Sequence, residues 1–468
     1  MKRFVFEAVG GGNRIGGSQY RINRRVAIDA GAVPQDSGAE YPDIADGEDD
    51  FFALTHGHFD HCGNIWQYHR RHPKTPAYMT AVTRRAMRLQ LWDTINIDSR
   101  DADDAVVQGM TPRDPLFSEE DIKVVWRRCR VVRNTNWFSP APGYQMAFES
   151  AGHMGGAAMV KLVLPDGLRV LHTGDVSLDD QATVLGAGVP VDFLNPDVMI
   201  VECTYGNREL PPRKEEEARL IATVKAVLDR RGKAWIPHFA ATLQNVAYPL
   251  AQAGFPVYID GAGVKFAGIY RFSKSWSGHE VPFPDLPNLK FVDTWRQREA
   301  IVHGAEPCAI VAPPGMMQLG LSLWYAERLM EDGRSAGFLP GYQAPGSRGK
   351  KIMDLPQFDV MDFFHDQIQY CEETGKKELT PFFTAKRKNC EMYKFHLSGH
   401  SSGRKMAEWI AKINPTVVIT VHGDRDAHLG MKEHLRRACP RTTVIFGKNH
   451  REIELVFFGS GLVGTRKS

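Results

Sequence analysis

Hydrophobic and polar positions along the chain fall into two kinds of segment, short apolar runs and longer stretches with helical spacing. Residues 215–231 carry apolar positions at helical spacing and are followed by Gly232, which is typical of a helix that ends there. Beyond Gly232, strands and helices are predicted in alternation, which favours a parallel sheet with helices on its faces. The predicted elements are strand 234–237, helix 242–253, strand 257–260, strand 308–312, helix 322–332 and strand 336–342.

A similar pattern continues on both sides of this middle part. Near the start, residues 25–29 and 51–55 are predicted to form short strands of a layered α/β fold. The elements predicted near the end are helix 404–413, strand 416–421, helix 431–438 and strand 442–446. The proline-rich segment 207–217 and the glycine- and proline-rich segment 341–351 are predicted linkers, so an inserted domain between them is the simplest account.

Composition narrows the class of protein without showing its chemistry. The 468 residues include 58 Lys+Arg and 55 Asp+Glu, a net charge of +3, so any basic surface for nucleic acid must be local. Apolar runs such as 416–421 are far shorter than the ~18 residues that a membrane span requires, so we expect a cytoplasmic protein with no membrane partner. The seven scattered cysteines form no CxxC pair and are predicted to be reduced, buried thiols.

The strongest chemical signal is the string HGHFDH, which directly follows the apolar run FFALT. It places His56, His58, Asp60 and His61 within six residues, and these side chains are common metal ligands. Alternate residues that leave a strand project to the same side, so His56 and His58 can share one ion. Asp60 and His61 can then turn toward a second ion. The motif therefore predicts a metal site that extends over two ions.

A site of this kind needs further ligands, and suitable residues follow at the ends of predicted strands. His153 lies in AGHMGG, Asp175 ends RVLHTGD and Glu202 ends DVMIVE. His400 lies in HLSGH, and His422 follows the apolar run in VVITVHGD. Taken singly, each is more often a buried core histidine or a turn aspartate. Together with HGHFDH, they are predicted to converge on one site at the rim of an α/β sheet.

The order HGHFDH, AGHMGG, HTGD, VECTYG, HLSGH and VHGD resembles the metallo-β-lactamase fold with a β-CASP domain, a family of nucleic-acid nucleases. The string HLSGH is most similar to the ribonuclease J branch of that family. The resemblance implies an α/β protein in which a metallo-β-lactamase αββα sandwich is split by an inserted β-CASP domain with a parallel sheet. It implies sandwich parts at 1–206 and 350–468, the β-CASP domain at 207–349, and an insertion near 353–393.

The resemblance also implies the ligands of two zinc ions, with Mn²⁺ as an alternative metal. Seven residues share this role, in two sets that a bridging carboxylate joins. The implied ligands are His56, His58 and His153 for one ion, Asp60, His61 and His422 for the other, and Asp175 between them.

Two further residues are implied to act in catalysis, together with the ligand Asp60. His400 would be the general acid that protonates the leaving oxygen, and Glu202 would orient that histidine or support a ligand. Donating a proton near neutral pH is a common role of imidazole. The residues implied to hold a substrate phosphate are His396, Ser398 and Gly399.

The resemblance predicts a two-zinc ribonuclease that acts on single-stranded RNA, with endonucleolytic or 5′ exonucleolytic cleavage or both. A metal-activated hydroxide would attack phosphorus while the two ions clamp the phosphate oxygens. DNA-repair members of the family typically lack a histidine at the position of His422, so its presence favours RNA. Two alternatives stay open: a hydrolase of single-stranded DNA or a small phosphodiester, and a scaffold that binds RNA without cutting. Family members frequently dimerise, so a homodimer is an expectation.

The segment 353–393 mixes aromatic residues with a basic run. Its aromatic residues include Phe363 and Phe382, and its basic residues include Lys386 and Arg387. Aromatic rings can stack on bases while lysine and arginine follow the phosphates of a single strand. The favoured interpretation is instead a small helical insertion, with the aromatic rings in its core and the lysines on its solvated face.

Overall fold

The computed structural model describes residues 1–35, 38–107, 115–271, 276–281, 285–317, 320–343, 346–371, 376–459 and 461–467. None of the helices in these ranges combines the length and the hydrophobicity that crossing a membrane requires. The first part of the chain forms β1 (Lys2–Gly10), β2 (Gln19–Ile22), β3 (Val26–Ile28), β4 (Val33–Gln35), β5 (Gly38–Glu40), β6 (Phe51–Ala53), α1 (Phe59–Cys62), α2 (Ile65–Arg71), β7 (Ala77–Thr80), α3 (Ala81–Val107), α4 (Glu119–Arg128), β8 (Cys129–Val132), β9 (Gln145–Ser150), β10 (Ala158–Val163), β11 (Arg169–His172) and β12 (Val198–Glu202).

The middle part of the chain alternates helix and strand, as its hydrophobic pattern predicts. Its elements are α5 (Arg213–Asp229), β13 (Lys233–Pro237), α6 (Gln244–Gln252), β14 (Val257–Asp260), α7 (Ala262–Arg271), β15 (Leu289–Val292), α8 (Trp295–His303), β16 (Cys308–Ala312), α9 (Leu321–Leu329), β17 (Ala336–Leu339) and α10 (Arg348–Asp354). The last part begins with a hairpin and then returns to alternating elements. These are β18 (Val360–Cys371), β19 (Lys376–Arg387), β20 (Glu391–Lys394), α11 (Gly403–Ile413), β21 (Val417–Val421), α12 (Arg425–Ala438), β22 (Thr443–Phe446), β23 (Arg451–Phe458) and β24 (Gly461–Lys467).

Two sheets pack face to face and form the inner layers of a sandwich. The first has the strand order β24-β23-β1-β2-β3-β6-β7-β8, and the second has the order β22-β21-β12-β11-β10-β9. Alternate side chains of β1 are buried, so Phe4 and Phe6 enter the core between the sheets. Phe148 and Val160 of the second sheet belong to the same core. Burial of this apolar surface is the main force that holds the two sheets together.

Helices cover the outer face of each sheet. On the first sheet, α2 and α4 pack through Trp66 and Ile122. On the second sheet, α11 and α12 pack through Met406 and Met431. The four layers confirm the αββα sandwich predicted from the motifs. The cysteines whose side chains the structure describes are buried and free, as predicted from their scattered spacing.

The third large sheet is the parallel sheet predicted for the inserted domain. Its order is β15-β14-β16-β13-β17-β20, and neighbouring strands run parallel throughout. One face packs on α5 and α6 through Leu220 and Val246. The other face packs on α9 and α10 through Tyr325 and Ile352. The architecture is therefore a split αββα sandwich with an inserted α/β domain.

The structure contradicts the prediction of a helical insertion at 353–393. Strands β18 and β19 pair in antiparallel fashion there, and their aromatic and β-branched residues favour an extended backbone. Strand β20 then joins the middle sheet beside β17, so residues 391–394 belong to that sheet. The domain boundaries stay predictions. Base stacking by residues such as Phe382 also stays a prediction, because the side chains at 364–383 lie outside the described part of the chain.

The carboxyl ends of several parallel strands meet at one edge of the sandwich. Strands β11, β12 and β21 lie side by side and run parallel. Asp175 lies just beyond β11, Glu202 ends β12 and His422 follows β21. In the other sheet of the sandwich, β6 leads into His56. Ligand sites of α/β proteins form at such edges, so the fold delivers the predicted site residues to one place.

Candidate metal centre

His56, His58 and His153 form the first set of candidate ligands, which we call the three-histidine group. Nε2 of His56 lies 3.2 Å from Nδ1 of His58, and Nε2 of His153 lies 3.0 Å from the same atom. Asp175 directs Oδ2 toward these nitrogens, at 3.5 Å from His56 and 3.7 Å from His153. Three imidazoles and one carboxylate oxygen therefore converge on one point.

Asp60, His61 and His422 form the second set, which we call the Asp60 group. Nε2 of His422 and Nε2 of His61 lie 3.3 Å and 3.9 Å from Oδ2 of Asp60. Ligand atoms of all three residues lie within 4.8 Å of one another. Oδ1 of Asp175 lies 3.3 Å from Nε2 of His61. Asp175 therefore turns one oxygen toward each group.

The donor atoms fit metal ligation better than hydrogen bonding with one another. Tetrahedral zinc ligands at about 2.0–2.1 Å from the ion lie about 3.3 to 3.4 Å apart, close to the nitrogen spacing in the three-histidine group. Oδ1 of Asp175 is buried and has no hydrogen-bond partner among the described residues. A buried carboxylate oxygen without a hydrogen bond is costly unless a cation compensates it. The nitrogen and carboxylate donors present are those that zinc uses in proteins.

Two residues of the first sheet hold the ring orientations in HGHFDH. Nδ1 of His61 donates to Asp29 at 2.8 Å, and Nδ1 of His56 donates to the hydroxyl of Thr55 at 3.0 Å. Thr55 in turn donates to Asp29 at 2.8 Å. Such partners fix the tautomer and leave the other ring nitrogen free for a metal. Sequence reasoning missed both residues, although Asp29 ends a predicted strand, the same signal that identified Glu202.

Two further supports come from distant parts of the chain. Nδ1 of His153 donates to the backbone carbonyl of Gly399 at 2.7 Å. A Cβ at position 399 would lie 2.9 Å from that nitrogen, so glycine permits this close approach. Nδ1 of His422 donates to the hydroxyl of Thr204 at 3.1 Å, and Thr204 donates to the carbonyl of His422 at 3.2 Å. Sequence reasoning also missed Thr204, which lies two residues after Glu202 in VECTYG.

Burial and neighbouring charges set the protonation of the ligands. Burial lowers the pKa of His58 to about 4, so this ring is neutral near pH 7. Burial raises the pKa of Asp175, but the rings of His422 and His61 outweigh burial and hold that pKa well below its ordinary value. Burial lowers the pKa of His61, but Asp175 and Asp60 raise it well above its ordinary value. A cation bound by His61 would therefore displace a proton.

His400 and Glu202 form a hydrogen-bonded pair beside both groups. Nδ1 of His400 donates to Oε1 of Glu202 at 2.8 Å, and Nε2 of the same ring lies 3.9 Å from Oδ2 of Asp175. Glu202 also accepts from the backbone N–H groups of Val176 and Thr204, both at 3.0 Å. Burial lowers the pKa of His400, but the charge of Glu202 and its hydrogen bond outweigh burial and raise that pKa to about 9. The ring can therefore carry a proton beside the ligand cluster.

The three residues expected to hold a substrate phosphate have different surroundings. His396 is exposed, and its backbone N–H donates to Glu216 of α5 at 2.8 Å. Oγ of Ser398 accepts from the backbone N–H of His400 at 3.1 Å, so it shapes the loop that carries that ring. The carbonyl of Gly399 supports the three-histidine group. Phosphate binding by these three residues stays a prediction.

Comparisons with known protein families match two segments of the chain. Residues 242–352 match the Beta-Casp domain, and residues 386–445 match a family described as the Zn-dependent metallo-hydrolase RNA specificity domain. A crystal structure of a protein of unknown function from Enterococcus faecalis has a similar fold, with a TM-score of 0.57 at 14% identity. The alignment covers 97% of this chain and 100% of that chain.

Three relatives match the chain along most of its length. It is 28% identical over 436 residues to an RNase J-like protein of Methanocaldococcus jannaschii, covering 89% of this chain and 91% of that protein. It is 26% identical over 467 residues to transcription termination factor FttA of the same organism, covering 93% and 69%. It is 27% identical over 485 residues to cleavage and polyadenylation specificity factor subunit 3 of Dictyostelium discoideum, of which it spans 57%.

Proposed function

Because the chain belongs to the β-CASP family of metal-dependent nucleases with a metallo-β-lactamase fold, we propose that it is a two-zinc ribonuclease. The description of the match at 386–445, with its zinc dependence and RNA specificity, supports this substrate and this metal. The RNase J-like relative, which matches the chain over 91% of its own length, supports the same conclusion. The proposed reaction is hydrolysis of phosphodiester bonds in single-stranded RNA.

The observation that carries the proposal is the position of Asp175 between the two ligand groups. Its Oδ2 lies 3.5 Å from His56 of the three-histidine group, and its Oδ1 lies 3.3 Å from His61 of the Asp60 group. We assign one ion to each group and the bridging role to Asp175. Two zinc ions bound there would activate water as a nucleophile and stabilise negative charge on the phosphate oxygens.

The side chains of the protein supply the proton that the leaving oxygen needs. Glu202 holds Nδ1 of His400, so the ring keeps a fixed direction with Nε2 toward the ligand cluster. When the P–O bond breaks, the leaving ribose oxygen takes the proton from Nε2 of His400. Glu202 keeps its negative charge beside the ring and so favours the protonated form before the reaction. Asp60 contributes to catalysis as a ligand.

A time course on one single-stranded RNA tests the proposal and its mode. The RNA is labelled at either end, carries a 5′ monophosphate or triphosphate, and is incubated with Zn²⁺ or Mn²⁺. We expect cleavage of the RNA, with internal fragments from endonucleolytic action and mononucleotides from 5′ exonucleolytic action. DNA of the same sequence is the control. Absence of RNA cleavage with either metal would overturn the proposal, and preferential cleavage of DNA would support the DNA alternative.

The filled ligand set favours an enzyme over a scaffold that does not cut. A degenerate family member is expected to lose metal ligands, whereas the seven expected positions of this chain all carry His or Asp. Metal analysis of the purified protein separates the two functions. Two equivalents of zinc per chain support the enzyme, and none after gentle purification supports the scaffold.

A further inference from the structure

Two buried polar atoms near the metal centre have no hydrogen-bond partner among the described residues. They are Nη2 of Arg213 and Nε2 of His238. The two side chains belong to residues that are 6% and 4% exposed. Neither residue has a role in the proposed reaction. An unpaired polar group in a buried position is destabilising, so both atoms invite a ligand group that satisfies them.

The fold places both residues at the same edge of the inserted domain. Helix α5 begins at Arg213, packs against β13 and leads into that strand through a tight turn, and His238 follows the end of β13. Besides burial, Arg213 and His58 lower the pKa of His238, so both lie near its ring. Nη1 of Arg213 donates to the backbone carbonyl of Ser398 at 2.9 Å, in the loop that carries His400. The two unpaired atoms therefore lie between α5, β13 and the catalytic loop.

The two atoms have opposite hydrogen-bonding character. Nη2 of Arg213 can only donate. Nδ1 of His238 lies 3.3 Å from the carbonyl oxygen of Phe239, which can only accept, so Nδ1 carries the ring proton. Burial lowers the pKa of His238 to about 4, so the ring has a single proton near pH 7 and Nε2 is an acceptor. A group that satisfies both atoms must accept from Arg213 and donate to His238.

We propose that Arg213 and His238 form a subsite for a ribose 2′-hydroxyl of the RNA strand. One hydroxyl accepts through its oxygen and donates through its hydrogen, so it satisfies both atoms at once. An ionised phosphate oxygen only accepts and would face the lone pair of His238. Phe239, the next residue, is 38% exposed, so the subsite lies just beneath the surface of the inserted domain.

This subsite would read the sugar of the substrate and not its base. A deoxyribose at the same place leaves both buried atoms unpaired, which is the strongest basis for rejecting a substrate that lacks a hydroxyl. The inference rests on the proposed function, because it requires an RNA strand beside the metal centre. It extends that function by naming the residues that distinguish RNA from DNA.

The test combines one change in the protein with one change in the substrate. The substrates are a single-stranded RNA that is cleaved at one site and copies with one 2′-deoxynucleotide at successive positions around that site. In the unchanged protein we expect one sensitive position, at which the deoxy copy loses about 10- to 100-fold in kcat/KM. His238→Phe keeps a ring and removes the acceptor. We expect it to lower kcat/KM on the RNA by a similar factor and to abolish the deoxy penalty.

His69→Phe is the matched control for this substitution. His69 is similarly buried but lies in α2, where it contacts Phe52 and Tyr68. This variant is expected to keep the full deoxy penalty. His238→Gln, whose amide oxygen can accept a hydrogen bond, is expected to restore part of the penalty. Zinc content and melting temperature of each variant establish that it is folded.

Binding measurements separate the subsite from the proposed reaction. Fluorescence anisotropy of the zinc-loaded His400→Ala protein with the RNA and with each deoxy copy measures sugar preference without cleavage. A protein that prefers the RNA through His238 but never cleaves it contradicts the proposed function and leaves the subsite standing. Cleavage of RNA with no sensitive position, or a penalty that His238→Phe leaves unchanged, overturns the subsite.

Discussion

The two ligand groups differ in charge and in the parts of the chain that support them. The three-histidine group consists of rings supported by the hydroxyl of Thr55 and the carbonyl of Gly399. The Asp60 group contains a carboxylate of its own, and its His61 donates to a second carboxylate, Asp29. Both groups share Asp175. The Asp60 group therefore presents more negative charge to a cation, although the two groups lie side by side.

This difference indicates an order of metal binding. Negative ligands attract a divalent cation more strongly than neutral rings, and a carboxylate behind a histidine ligand strengthens that histidine further. We therefore expect the Asp60 group to bind zinc first. The three-histidine group depends on Asp175 for negative charge and on Gly399 for the position of His153. Because Gly399 precedes His400, metal binding at this group is coupled to the loop that carries the proton donor.

Removal of the shared carboxylate has the largest expected effect, because it takes a ligand from both groups. In Asp175→Ala we expect about one zinc per chain or fewer, where the unchanged protein holds two. RNA cleavage falls below detection. The melting temperature in zinc-containing buffer drops, because bound metal no longer stabilises the folded state. Metal analysis and thermal melts measure both effects.

Asp229→Ala is the control for this loss. Asp229 is exposed and pairs with Lys225 one helical turn away, an arrangement that contributes little to stability. The control is expected to keep two zinc ions and the original melting temperature. An Asp175→Ala protein that still held two zinc ions would contradict the bridging role of Asp175.

Removal of His400 tests whether the loop next to the three-histidine group acts beyond metal binding. In His400→Ala both groups keep their ligands, so we expect two zinc ions per chain and a loss of about 10²- to 10⁴-fold in the cleavage rate. Time courses at saturating RNA measure the rate. His303→Ala, at an exposed position in α8, is the control and retains full activity. Cleavage by His400→Ala at the original rate would refute the proton-donor role.

Asp29→Asn weakens the Asp60 group while it leaves the three-histidine ligands in place. The amide removes the negative charge behind His61, so the affinity of the first zinc is expected to fall about 10- to 100-fold. Titration against a competing chelator resolves the two binding steps. Gly399→Ala is the companion variant, because its Cβ would press on His153 and weaken the second step instead. Equal effects of Asp29→Asn on both steps would contradict the assigned order.

Glu202→Gln gives the smallest expected effect, which concerns the proton and not the metal. Burial lowers the pKa of His400 while Glu202 raises it, so replacing the carboxylate by an amide lowers that pKa. The protonated ring is then lost at lower pH, and the alkaline limb of the kcat/KM profile moves down by about 1 to 2 pH units. Zinc content stays at two per chain. An unchanged limb, or one that moves to higher pH, refutes this coupling.

Hydrophobic pattern located most elements of the inserted domain because buried parallel strands appear as continuous apolar runs. The strands predicted at 257–260 and 308–312 are found at those positions as β14 and β16. Helix α12 begins at Arg425, six residues before the predicted 431, because Asp424 caps it by accepting from the backbone N–H of Ala427. The β18–β19 hairpin was predicted as helix, since apolar periodicity does not separate a short helix from a strand.

Local spacing along the chain was enough to identify the chemistry. Four metal-binding side chains within six residues, together with His and Asp at strand ends, indicate a two-ion site before any fold is known. Packing alone revealed the partners that hold this site, such as Asp29 for His61 and Gly399 for His153, and it alone placed Arg213 near His238. The physical reason is distance along the chain. A motif records the geometry of a few consecutive residues, whereas these contacts depend on how sheets, helices and an inserted domain pack against one another.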